Sequence, residues 1–138
     1  MNPKLFLSAA IGCLLWSATS RAQVIVANSG VKIEEIRKTE LAEIFTGVAA
    51  NFRDGSHAVP ATLKGGPVHE EFLKNYVGKS DAAFRAIWRS IVFSGHGLMP
   101  KSFETEEALI NYVASVPGAI GYVSQSPGNE KLKELTVK

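Results

Sequence analysis

Cysteine is nearly absent from these 138 residues; the only one is Cys13. A lone thiol excludes an internal disulfide framework and the cysteine-rich zinc modules. Histidine is scarce too. His57, His69 and His96 are too widely spaced for an H-x-x-x-H or H-x-H pair, so no metal is expected. An excess of one charge is also missing. With 15 basic and 13 acidic residues, the chain has no basic stripe to suit a nucleic acid. No apolar run reaches the ~20 residues that cross a bilayer. There is no Gly-x-Ser-x-Gly nucleophile elbow. The carboxylate pairs Glu34-Glu35, Glu70-Glu71 and Glu106-Glu107 are sequence neighbours, which a helix turns about 100° apart. They suit solvated faces better than an acid/base dyad. No enzyme is expected, and no cofactor is called for.

What is present begins with an export pattern. Lys4 supplies a positive start, Leu5 to Trp16 a short apolar run, and Ser20-Arg21-Ala22 a small-residue cleavage site. This layout reads as a signal peptide over 1–22, cut between Ala22 and Gln23, for a periplasmic or secreted protein. The alternatives are an uncleaved anchor and an acylated Cys13, for which Ala10-Ile11-Gly12 is a poor lead-in. Cleavage removes Lys4 and Arg21, so residues 23–138 carry equal numbers of acids and bases. They also carry no cysteine, and their stability must come from one packed core. A domain of this size buries roughly two-thirds of its unfolded surface.

Strands and helices alternate along 23–138. Val24 to Ala27 is a β-branched strand closed by the turn Asn28-Ser29-Gly30. Lys38 to Phe45 places Leu41, Ile44 and Phe45 on one helical face, with Thr39 as the expected N-cap. Ala58 to Leu63 reads as a strand in which Pro60 asks for an edge or bulge. Lys64-Gly65-Gly66-Pro67 leads into a helix over about Val68 to Tyr76. Ser80 caps the next helix, whose stripe is Phe84, Ile87, Trp88, Ile91 and Val92. Thr105 caps another, Ala119 to Val123 is a strand, and a final strand falls near Leu135 to Val137. The pattern implies an α/β domain with a mixed, mostly parallel sheet flanked by helices.

Certain segments come in a telling order. Leu41-Ala42-Glu43-Ile44-Phe45-Thr46-Gly47 precedes Phe52-Arg53-Asp54-Gly55; Phe93-Ser94-Gly95 and Pro100 follow. Val113 and Pro117-Gly118-Ala119-Ile120-Gly121-Tyr122-Val123 come last. This order resembles the phosphate-type solute-binding proteins of bacterial ABC transporters, which have the type II periplasmic-binding-protein fold. The resemblance covers about residues 24–124. It implies a single three-layer lobe of a fold that normally clamps its ligand between two. The family carries a Ser-Gly-Thr segment where this chain has Leu63-Lys64-Gly65-Gly66-Pro67-Val68-His69-Glu70-Glu71-Phe72. The hydroxyl donors are gone, Pro67 lacks an N–H, and Glu70 and Glu71 bring negative charge.

The expected ligand is therefore a small phosphate-like oxyanion. It would be held by N–H groups of Gly65, Gly66, Val68 and His69, helped by Lys64 and by Asn28 and Ser29 after the first strand. Each candidate has a plainer role. Gly65-Gly66 could be an ordinary turn, Asn28-Ser29 could bond its own backbone, and Arg85 and Arg89 could pair with surface acids. The rival function is an interaction or scaffold protein, in which a protein partner or a second copy covers the open cleft face. Neither reading involves nucleic acid or a membrane span.

Overall fold

Strand direction decides which loops can meet in this molecule. The computed structural model describes residues 23–138, and the expected signal peptide over 1–22, with Cys13, lies outside the described residues. Six strands form one sheet in the order β2-β6-β1-β5-β3-β4. They are β1 (Val24–Asn28), β2 (Glu35–Ile36), β3 (Val59–Leu63), β4 (Lys101–Phe103), β5 (Ala119–Val123) and β6 (Leu132–Val137). β1 runs antiparallel to both β5 and β6, whereas the β2–β6, β3–β5 and β3–β4 pairings are parallel. Five strands thus point one way and β1 alone is reversed. The sheet is mixed and mostly parallel, as the alternating pattern implied.

The helices are α1 (Lys38–Phe45), α2 (Pro67–Phe72, prolonged by a π-helical turn over Leu73–Val77), α3 (Asp81–Phe93) and α4 (Glu106–Ser115). Two neighbours in β5 set the three layers, because successive strand side chains point to opposite faces. Tyr122 stacks on Phe72 with ring centroids 3.8 Å apart, and Phe45 meets Phe72 edge-on at 4.9 Å. That is the face covered by α1 and α2. Gly121 points the other way, where a Cβ would meet Leu109 Cδ2 of α4 at 2.8 Å. Glycine here lets α4 lie close against the strand. Phe45, Phe72, Leu109 and Tyr122 are all fully buried, so both faces of the sheet are dry.

Local chemistry explains most element boundaries. Ser80 and Thr105 accept hydrogen bonds from the N–H groups of Ala83 and Ala108, as N-caps should. Pro60 pairs with Ile120 on one side, while β4 begins its pairing only at Ala61, so no bond is lost at the proline. The expected Thr39 cap is corrected. Helix α1 starts at Lys38 with Arg37 as its N-cap. The Lys38 N–H is already bonded to the Lys138 carbonyl, which carries the β2–β6 pairing up to the helix start. The short strands β2 and β4 have too few residues to show a period.

Candidate functional site

The parallel strands β3, β4 and β5 deliver their carboxyl ends to one rim, and the Gly65-Gly66 turn sits there. β3 ends at Leu63, and the Lys64 N–H bonds the Phe103 carbonyl at the end of β4. Gly66 then adopts φ +94°, a left-handed value that side chains resist, and Pro67 opens α2. Ideal Cβ atoms built at Gly65 and Gly66 meet nothing within 4 Å, so the turn faces open space. The N–H groups in the first turn of a helix have no partner within it, which leaves the Val68 amide open at this rim.

Behind the turn runs a chain of polar contacts. The Leu63 N–H donates to the Tyr122 hydroxyl at 2.9 Å. That hydroxyl meets Nδ1 of His69, and Nε2 of His69 meets Asp81 Oδ1 at 2.8 Å. Arg85 Nε–H donates to the other Asp81 oxygen at 2.8 Å, and the Arg85 guanidinium donates to the Lys64 carbonyl at 2.6 Å. Proton accounting gives the direction. The Asp81 carboxylate can only accept, so His69 Nε2 donates to it; in the neutral tautomer this leaves Nδ1 to accept the Tyr122 proton, while the Tyr122 oxygen accepts from Leu63. The chain starts on the residue before Lys64 and ends on Lys64 itself, so it fastens the base of the turn from both sides.

Electrostatics follow from this wiring. Burial pushes the Tyr122 hydroxyl far above its usual range, the Leu63 N–H offsets part of that, and Asp81's charge adds to it. For Asp81, burial works to raise the value, but hydrogen bonds from Arg85 and His69 outweigh it and hold the carboxyl below 3.8. Lys64 Nζ lies 3.4 Å from Glu104, with both side chains largely in water. An exposed pair of this kind is weak, so the Lys64 charge remains available to a ligand. Glu106, at the start of α4, accepts from the N–H and hydroxyl of Ser124. Glu71 is engaged by Gln23 Nε2 at 2.8 Å. Glu70 is exposed on α2.

The structure does not bring all the expected residues together. Lys64, Gly65, Gly66 and Val68 share the rim. The His69 side chain faces inward and buttresses the turn: it is 2% exposed, and both ring nitrogens are engaged. Asn28 and Ser29 are corrected. Because β1 is reversed, its carboxyl end lies at the far end of the sheet. Ala27 and Pro60 flank the same residue, Ile120, so Asn28 and Lys64 diverge from that level. They end roughly 16 Å apart along the strands. The Asn28 amide instead donates to the Val113 and Ala114 carbonyls at the end of α4, and its oxygen accepts from Gly30. Arg85 pairs with Asp81 on its own helix and also reaches the turn. From sequence, Tyr122 is placed only within the strand Ala119 to Val123, and Asp81 is not singled out. A signal for Tyr122 existed, since a tyrosine in an otherwise apolar strand needs a partner for its hydroxyl.

Among the described residues, no cluster of three His, Cys, Asp or Glu is placed to hold a metal ion. None of their helices is long and apolar enough to cross a membrane.

This architecture, a mixed sheet with helices on both sides, has the fold of one lobe of the phosphate-type substrate-binding proteins. Comparison with solved structures bears this out. PstS from Borrelia burgdorferi matches with a TM-score of 0.61 at 15% identity, over 85% of this chain and 47% of that one. An ABC-type phosphate transport receptor from Vibrio cholerae matches with a TM-score of 0.62 at 12% identity, over 83% and 45%. A substrate-binding protein from Clostridium perfringens, solved with phosphate bound, gives 0.64 at 16% identity, over 83% and 44%. The chain spans less than half the length of each. At such identities the likeness is one of fold. No protein-family model matches the chain, and no curated protein does.

Proposed function

We propose that residues 23–138 form an exported, non-catalytic binding module that takes a small oxyanion of the phosphate type at the Gly65-Gly66 turn. The observation that supports it most is the turn itself. It combines open glycine positions, an available Lys64 and a helix start, all fastened from behind by the Tyr122–His69–Asp81–Arg85 chain. Preorganised N–H groups at a helix start suit an anion. The phosphate in the Clostridium perfringens structure points to the same class of ligand. Asn28, Ser29 and the His69 ring have no part in the contact.

One lobe supplies only part of a cage, and Glu70 and Glu104 stand near the turn. Binding is therefore weak, on the order of millimolar, about 4 kcal/mol. Calorimetry with phosphate and sulfate tests this. Heat that saturates in the millimolar range, and is reduced by Lys64→Ala, is expected. No heat up to tens of millimolar defeats the proposal.

The rival reading, an interaction module, is favoured by one observation: Phe93 at the end of α3 is 96% exposed. It predicts a self-associated species in sedimentation that Phe93→Ser disperses. A monomer at every concentration counts against a second copy as the partner.

A further inference from the structure

A cavity of about 510 Å³ lies at the other end of the sheet from the Gly65-Gly66 turn. It opens where β3 and β4 begin, beside Val59, Pro60 and Lys101, and under the carboxyl ends of α1 and α3. Its size falls within the range of small-molecule sites. Trp88, Ile91, Leu98 and Met99 form its apolar wall. Leu98 is 87% and Met99 47% exposed, although both line the concave surface. Apolar side chains left in water around a hollow gain when an apolar ligand fills it.

The charge on this cavity has one sign. Among the described residues its ionisable lining consists of His57, His96, Lys101 and the Tyr112 phenol, with no carboxylate. Lys101 makes no ion pair among the described residues; its ammonium lies 6.0 Å above the Tyr112 ring. His96 Nδ1 meets the Ser94 hydroxyl at 2.8 Å. An apolar hollow with a basic rim matches a molecule that has an apolar body and an anionic head. A bare oxyanion would leave the walls unused, and an apolar cation would meet Lys101.

We propose that this cavity binds a small amphipathic carboxylate, its chain against Trp88, Ile91, Leu98 and Met99 and its head toward Lys101. The proposal is independent of anion binding at the Gly65-Gly66 turn, since the two places lie at opposite ends of the strands.

The test is calorimetry of the purified protein with decanoate below its micellar concentration, with decanol and decyltrimethylammonium as comparators. Saturable binding is expected for decanoate, weaker binding for decanol and none for the ammonium. Leu98→Glu puts a carboxylate on the exposed rim without touching the core, and should weaken decanoate at least about 10-fold. Lys101→Gln should weaken decanoate about 3-fold and leave decanol unchanged. Circular dichroism checks that both variants keep the fold. No saturable binding of decanoate overturns the proposal. So does equal binding of all three probes, or decanoate affinity indifferent to Leu98→Glu.

Discussion

Replacing Tyr122 by Phe removes one oxygen and leaves the ring stack on Phe72 unchanged, so it isolates the polar chain behind the Gly65-Gly66 turn. Two buried groups lose their partner. The Leu63 N–H no longer has an acceptor, and His69 Nδ1 no longer has a donor. Leu63 is 6% and His69 2% exposed, so water cannot readily replace the hydroxyl. An unmet buried polar group costs about 1–3 kcal/mol. With two of them partly relaxed, Tyr122→Phe should destabilise by about 2–4 kcal/mol. For a domain of this size, about 4 °C accompanies each kcal/mol, so Tm should fall by about 8–16 °C. Urea unfolding followed by circular dichroism should show a lower midpoint with an unchanged slope. The double variant Tyr122→Phe/His69→Leu should be less damaged than the two singles summed, because one orphan is removed with the other. A loss below about 0.5 kcal/mol, or strict additivity, would refute the continuous chain.

Other outcomes follow from the same geometry. Gly121→Ala drives a Cβ to 2.8 Å from Leu109 Cδ2 and 3.4 Å from Val113 Cγ2 in a closed core, and should cost about 1–3 kcal/mol in urea unfolding. Asn28→Ala removes the amide from the Val113 and Ala114 carbonyls, and should cost about 1–2 kcal/mol while leaving phosphate calorimetry unchanged. Acid should unfasten the turn. Asp81 is held below its usual 3.8, so its stabilising effect is complete above that value and is lost as pH falls through the lowered one. Asp81→Asn should flatten this step in acid-unfolding curves. Tyr122 behaves oppositely. Raised far above 10, it stabilises fully below that value and loses its effect as pH climbs beyond it, so Tyr122→Phe should lessen the alkaline loss of stability.

The elements with strong periodicity or capping chemistry were legible before the structure. Ser80, Thr105 and the apolar run Ala119 to Val123 fall where their chemistry puts them. Strand direction was not legible. Nothing in Val24 to Asn28 says that β1 runs against its neighbours, because the side-chain pattern is the same either way up. That hidden reversal is why Asn28 and Ser29 looked like partners of Lys64 and are not. The role of His69 was hidden for a different reason. A histidine in the first turn of α2 can face a ligand or the core, and the choice was made by Tyr122 in β5 and Asp81 in α3, both distant in sequence. The Gly65-Gly66 turn was legible because glycine and proline act locally, through φ and a missing N–H.

The central claim is that phosphate meets this chain at the Gly65-Gly66 turn and not at the Asn28-Ser29 turn. Amide chemical shifts recorded during a phosphate titration test it residue by residue. Saturable shifts are expected at Gly65, Gly66 and Val68, with Ser29 and Gly30 unmoved. Shifts centred on the Asn28-Ser29 turn, or none at the Gly65-Gly66 turn at tens of millimolar phosphate, would contradict it.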